Sequence, residues 1–211
     1  MEQLIKHLIN NNLDEIVEKS IFDCHSKGLH SIMLLDSPGK TIRLYISTPD
    51  SDMYRNLPEN IGFKNISLGF HAHHCNLTLY CVKGSFTNWQ VEKSSDPNSS
   101  LLLDKYLYSS KITNDELKFT LEAKSQFLNT ESIRTVKEGG CISLKASDIH
   151  TVGCRGGDYN AWLVFEGKED PDYKPFLWTD NDPNRKDHTG LYNKPSRAGI
   201  LFLLQIINLI E

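Results

Sequence analysis

Gly69–Gly84, GFHAHHCNLTLYCVKG, carries three histidines within a strand-like run. β-Branched and aromatic residues recur at positions 78, 80 and 82, and a glycine ends the run,. Because side chains alternate between the two faces of a strand, His71 and His73 share one face, and His74 points to the other unless a bulge intervenes. Two imidazoles at i and i+2 on a rigid strand form half of a metal site.

His150, at the end of the segment Gly139–His150, is the best candidate for a third ligand. A metal site needs at least one ligand beyond the pair on the first stretch, and two histidines with a distal third are the usual ingredients of such a site. The sequence therefore predicts that His71, His73 and His150 converge on one divalent cation. The alternative is a surface strand with solvated imidazoles.

The two stretches together resemble the two sequence motifs of the cupin superfamily. The first motif is His-x-His, three residues, Glu, six residues and Gly; His71, His73 and Gly84 are in register with it. The second is Gly, five residues, Pro, one residue, Gly, two residues, His, three residues and Asn; Gly139 and His150 match it. Other residues stand at the remaining motif positions: Leu77 for Glu, Lys145 for Pro, Ser147 for Gly and Cys154 for Asn.

The resemblance spans roughly residues 30 to 168 and implies an all-β cupin barrel, a double-stranded β-helix or jelly roll,. We expect residues 1–28 to form an N-terminal helical arm, residues 29–168 the barrel, and residues 169–211 a C-terminal loop and apolar tail of the same domain. Apolar stripes at helical spacing predict two helical pieces, at 2–10 and 13–27,. Strands are expected at 30–35 and 41–47 around a turn, and residues 168–196 are expected to have little regular structure,.

Leu77 stands where most metal-binding cupins supply a glutamate. Cupins that keep three histidines and lack the glutamate resemble the thiol dioxygenases and diketone-cleaving dioxygenases, which bind iron(II). Three neutral ligands leave the metal its full charge and about three open positions in an octahedral shell, which suits a bidentate substrate plus dioxygen. The resemblance thus implies a non-haem iron(II) dioxygenase for a small polar molecule, similar to cysteine dioxygenase. The chain has no convincing copy of that enzyme's Ser-His-Tyr relay, so cysteine is not carried over as the substrate.

Two other function classes fit the same motifs. A non-oxidative metal cupin, such as an isomerase, lyase or hydrolase, would use zinc, nickel or manganese as a Lewis acid and would need a carboxylate base, for which Glu166 is the motif-adjacent candidate,. A non-catalytic cupin that binds a small molecule is the third class, because a fold does not determine a function.

Arg43 and Tyr45 are the candidate catalytic residues besides the ligands, because they share one face of the strand 41–47,. If that face points into the barrel, the two side chains bind a substrate carboxylate by charge and hydroxyl. Thiol dioxygenases are similar in using an arginine and a tyrosine from an early strand. The alternative is an ordinary exposed face.

Composition narrows the choice of partners and location. The chain has 211 residues and a net charge of −4 without a dense basic run, which argues against nucleic acid as the main partner,. Five scattered cysteines and an N-terminus unlike a signal peptide predict a reducing, cytoplasmic location,. The apolar tail Gly199–Ile210 is too short to span a bilayer, and is either a partner surface, as in a homodimer, or a buried strand or helix,.

Overall fold

A computed structural model describes residues 1–53, 69–96, 98, 101–108, 119–154, 157–180, 183 and 190–210. Its helices are α1 (Glu2–Lys19) and α2 (Arg197–Ile206). Its strands are β1 (Leu29–Ser37), β2 (Lys40–Ser47), β3 (Phe70–Ala72), β4 (Cys75–Lys83), β5 (Ser85–Lys93), β6 (Leu101–Tyr108), β7 (Phe119–Lys137), β8 (Cys141–Leu144), β9 (Ile149–Gly153), β10 (Asn160–Glu169) and β11 (Phe176–Thr179).

The strands form two antiparallel sheets. The first has the order β1-β2-β10-β4-β8. The second has the order β11-β3-β9-β5-β7-β6 and closes on itself, because β11 pairs with both β3 and β6. The predicted all-β architecture of antiparallel strands, with a helical N-terminus and a C-terminal extension, is confirmed.

Three apolar clusters follow from the alternation of side chains along these strands. The outer face of the first sheet packs against both helices; this cluster includes Ile16 of α1, Leu44 of β2 and Leu204 of α2. The space between the two sheets holds a second cluster, which includes Leu77, Phe86 and Trp162. The closed second sheet encloses a third, which includes Phe70, Trp89 and Trp178. The second sheet therefore carries buried apolar residues on both faces, and those on its face toward the first sheet line the space between the two sheets, which is the barrel interior.

The chain changes sheet at His73 and His74, between β3 and β4. The stretch 69–84, which reads as one run in the sequence, is therefore a short strand of the second sheet, a corner, and a long strand of the first. Beyond the corner, β4 still directs Leu77 and Leu79 into the space between the sheets. Both parts of the stretch thus face the same interior.

The N-terminal arm is shorter than the sequence predicts. α1 is kinked at Asn12, where φ is −134° and ψ is 21°, and ends at Lys19 rather than near residue 27. The Ser20 hydroxyl donates to the carbonyl of Ile16, 2.5 Å away, and the next residue, Ile21, forms an isolated bridge with Ser31 of β1. Pairing with a strand therefore ends the helix although the apolar spacing continues.

The C-terminal tail is a buried helix. The Ser196 hydroxyl caps α2 by accepting from the backbone N–H of Gly199 at 3.0 Å, and Ile200 and Leu204 are fully buried against the first sheet,. The preceding segment contains β11, so the prediction of little regular structure over 168–196 is wrong there: this strand closes the second sheet. No helix among the described residues is long and apolar enough to cross a membrane.

Candidate metal centre

The three predicted histidines meet in the barrel interior. His71 of β3 is the register partner of His150 of β9, which places the two side chains next to each other on one face,. His73 lies at the corner after β3, and its Nε2 is 3.0 Å from Nε2 of His150. One ring nitrogen from each residue lies within 4.8 Å of the other two. The convergence predicted from the sequence is observed.

The spacing of the nitrogens fits a shared cation. Two cis ligands at metal–nitrogen bonds of about 2.1 Å stand about 3.0 Å apart in an octahedral shell and about 3.4 Å apart in a tetrahedral one. The Nε2–Nε2 distance of 3.0 Å between His73 and His150 lies at the octahedral value. The ring centroids are separated by 4.6 Å (His71–His150), 4.9 Å (His71–His73) and 5.2 Å (His73–His150), and the ring planes are inclined to one another by 43–77°.

Asn88 of β5 orients His150. Its Oδ1 lies 2.7 Å from Nδ1 of His150, and the two residues are only 1% and 2% exposed. An amide oxygen can only accept, so Nδ1 of His150 carries the proton and Nε2 presents its lone pair to the cluster. In the same way, the Nδ1 side of His71 faces the carbonyl of Gly69 at 3.5 Å. Hydrogen bonds of this kind to the far ring nitrogen are typical of metal-binding histidines.

Sequence reasoning did not identify Asn88. The available signal was weak: an asparagine, which strands disfavour, lies in the middle of the strand-like segment Ser85–Lys93,. Its role depends on the pairing of β5 with β9, a contact between segments about 60 residues apart that no local pattern specifies,.

Burial keeps the three rings neutral. Desolvation lowers the pKa of His71 to about 4 and lowers the pKa of His73 and His150 well below the usual value of 6.5, and the nearby rings add to both of the latter shifts. Neutral imidazoles keep a free lone pair at pH 7, which is the form that binds a metal.

Arg43 and Tyr45 face the barrel interior rather than solvent. Arg43 Nε is 3.3 Å from Glu166 Oε1, and its Nη1 donates to the Ser31 hydroxyl at 3.4 Å. Tyr45 stacks on Trp162 with the rings 5.7 Å apart, and burial raises the pKa of its phenol. The Arg43 guanidinium is therefore already paired with the Glu166 carboxylate. The catalytic role of Arg43 and Tyr45 stays a prediction.

The other residues near the motifs have simpler environments. His74 turns away from the cluster and lies 3.4 Å from Glu169 Oε1. Leu77, at the position of the motif glutamate, is buried in the apolar cluster between the sheets. Cys75 and Cys154 are buried as well; desolvation raises the pKa of Cys75 to about 11 and also raises that of Cys154. Both thiols are thus protonated at neutral pH and pack as small apolar side chains.

No protein-family model matches the chain, and no curated protein matches it. Among solved structures it is similar to the polyketide cyclase RemF from Streptomyces resistomycificus, with 13% identity, 80% of this chain and 83% of that chain covered, and a TM-score of 0.41. It is also similar to hydroxypropylphosphonic acid epoxidase from S. wedmorenis (9% identity, 71% and 56% covered, TM-score 0.38). An RmlC-like cupin from Shewanella frigidimarina NCIMB 400 is similar at 14% identity, with 74% and 89% covered and a TM-score of 0.37. At these low identities and TM-scores the similarities say nothing about ligands or reaction.

Proposed function

We propose that His71, His73 and His150 hold one divalent metal, iron(II), and that the protein is a non-haem iron(II) dioxygenase acting on a small polar molecule. One observation carries the proposal: three neutral imidazoles with their ligand atoms within 4.8 Å of one another, the third fixed by Asn88. The described part of the chain brings no carboxylate into this cluster. The cluster of described residues therefore has three histidines and no glutamate, which is the pattern on which the dioxygenase prediction depends.

Iron(II) with three neutral ligands would supply open positions for substrate and dioxygen together and the electrons for oxygen activation. Residues of the chain around the metal would exclude water and contact the substrate. Leu77 and Leu79 line the interior with apolar surface, which excludes water and strengthens electrostatic interactions at the centre,. Arg43 and Tyr45 offer a charged and a hydroxyl contact for the polar groups of a substrate,.

Metal analysis and oxygen uptake test this function directly. Protein purified without added metal is expected to contain iron, and the iron(II) form is expected to consume oxygen with a member of a panel of thiols and diketones. His150→Ala should abolish both signals, whereas His74→Ala, which changes a histidine next to the cluster but outside it, should keep both. Zinc in the purified protein, with no oxygen uptake by the iron-loaded form, contradicts the dioxygenase proposal.

A second candidate is a non-oxidative metal cupin with zinc, nickel or manganese. The observation that favours it is Glu166, a half-buried carboxylate on β10, paired in register with Leu77 and close to Arg43. A general base is needed in that chemistry, and Glu166→Gln should then abolish turnover without loss of metal. The cytoplasmic location and the alternative of a homodimer stay predictions.

A further inference from the structure

Four polar side chains stand in one row across the second sheet. His71 of β3 pairs in register with His150 of β9, His150 pairs with Gln90 of β5, and Gln90 pairs with Ser132 of β7. Neighbouring strands are about 4.8 Å apart, so each member of the row lies roughly one such step from the next. The row therefore begins at the proposed metal ligands and continues for two strands beyond them.

The row faces the barrel interior along its whole length. On β5, Trp89 and Val91 point into the cluster enclosed by the second sheet, whereas Asn88 contacts His150 on the opposite side. Gln90 lies two residues after Asn88 and so shares its face. On β7, Val136 belongs to the cluster between the sheets, and Ser132, four residues earlier, has the same orientation,.

Gln90 and Ser132 have hydrogen-bonding capacity that the described residues do not use. The Ser132 hydroxyl oxygen is buried and has no hydrogen-bond partner among the residues that the structure describes. The half-buried Gln90 amide likewise makes no side-chain hydrogen bond within the part of the chain that the structure describes. Buried polar groups are normally satisfied, and an exception calls for a physical explanation such as a bound group. Asn88, on the same face, already has its partner in His150.

We propose that Gln90 and Ser132 form a substrate-binding subsite beside the metal centre. The subsite rests on the proposed function, because it positions a molecule whose other end contacts the metal. An amide and a hydroxyl each donate and accept but carry no charge, so they select a neutral hydroxyl or carbonyl group. The substrate class is therefore a small molecule with a metal-binding end and a neutral polar group about one strand spacing, roughly 5 Å, away from it.

Two matched hydroxamates test the subsite. 4-Hydroxybutanohydroxamate and pentanohydroxamate share the metal-binding end and the chain length, and differ by a terminal hydroxyl in place of a methyl. Their dissociation constants are measured on the cobalt(II)-loaded protein from its visible spectrum. Gln90→Leu keeps the size of the side chain and removes its hydrogen bonds. Gln126→Leu is the control, since Gln126 of β7 is bonded to the Lys124 carbonyl, away from the row.

The preference for the hydroxyl probe over the methyl probe is expected to fall about 3- to 10-fold in Gln90→Leu, the range for one neutral hydrogen bond, and to be unchanged in Gln126→Leu. Ser132→Ala should lower the preference in the same direction. Unchanged cobalt affinity in all three variants shows that the metal centre is intact.

If cobalt binds but the preference is the same in wild type and Gln90→Leu, the subsite is wrong and the metal centre stands. A loss of cobalt affinity in Gln90→Leu also overturns the assignment, because Gln90 would then act on the ligands. If the wild type binds no metal at all, the proposed function and the subsite both fail.

Discussion

Asn88 lies outside the ligand set, and replacing it with alanine tests how far the metal centre depends on one buried hydrogen bond. The bond to His150 Nδ1 is short, 2.7 Å, and both residues are almost completely buried, so water cannot readily take the place of the amide. In Asn88→Ala, His150 loses the group that favours its Nδ1–H tautomer, and its ring is free to turn. Loss of such a partner typically weakens metal binding by about 10- to 100-fold. At 1.4 kcal/mol per tenfold change, that is about 1.4 to 2.8 kcal/mol.

The assay is a competition titration of cobalt(II) or zinc(II) against a chelating dye, with the metal-free proteins compared by urea unfolding. Asn88→Asp keeps an acceptor in place and should bind metal at least as tightly as Asn88→Ala. Asn129→Ala is the control, because it removes an asparagine bonded to the Ser94 hydroxyl at 3.2 Å, away from the cluster. Nitrogen-15 NMR of the metal-free protein should show His150 protonated at Nδ1. Metal affinity in Asn88→Ala within twofold of wild type would show that the Asn88–His150 hydrogen bond does not support metal binding.

Three further outcomes are expected. Titration calorimetry should show no metal binding by His73→Ala and wild-type binding by His74→Ala. Equal losses in the two variants would mean that His73 and His74 are not arranged at the corner as the structure has them. Leu204→Ala, at a fully buried position of α2, should lower the free energy of unfolding by about 2–5 kcal/mol,. Phe202→Ala, at a position that is 61% exposed, should lower it by less than about 0.5 kcal/mol,. A larger loss of stability in Phe202→Ala than in Leu204→Ala would indicate that the apolar tail is a partner surface. Burial lowers the pKa of His71 from 6.5 to about 4, so between pH 6.5 and pH 4 the unfolded chain binds more protons than the folded protein,. The metal-free protein should therefore lose up to ~3 kcal/mol of its free energy of unfolding from His71 alone as the pH falls from 6.5 to 4,. Denaturant unfolding at a series of pH values measures this loss, and His71→Asn should flatten it; an equally steep loss in that variant would contradict the assignment.

Local patterns and the motif resemblance were sufficient to predict the three-histidine cluster and the simplest strand connection. The motif spacing within 69–84 and 139–150 predicts that His71, His73 and His150 cluster, and the structure brings them together although His73 lies at the corner beyond β3 rather than on the strand. The turn after β1 was predicted from the Pro-Gly pair that precedes Lys40, and β2 begins at Lys40. Both inferences depend on residues close together in the chain, together with the resemblance that aligned the two motifs.

The remaining features depend on contacts between distant segments. The corner at His73 and His74 exists because β3 and β4 belong to different sheets, and no break in composition marks it. The Asn88 contact and the Gln90–Ser132 row depend on the pairing of β5 with β9 and β7. The composition of residues 114–116, Asn-Asp-Glu, predicts a turn, but these residues, like His188 of the C-terminal loop, lie outside the described residues,.

One cation shared by three imidazoles, from β3, from the corner after β3 and from β9, is the basis of the proposed function. The most direct test is an anomalous difference map from a crystal of the protein loaded with cobalt(II) or iron(II). We expect a single strong peak about 2.1 Å from a ring nitrogen of each of His71, His73 and His150. A peak elsewhere, or no peak between these rings in protein that has taken up stoichiometric metal, would contradict it.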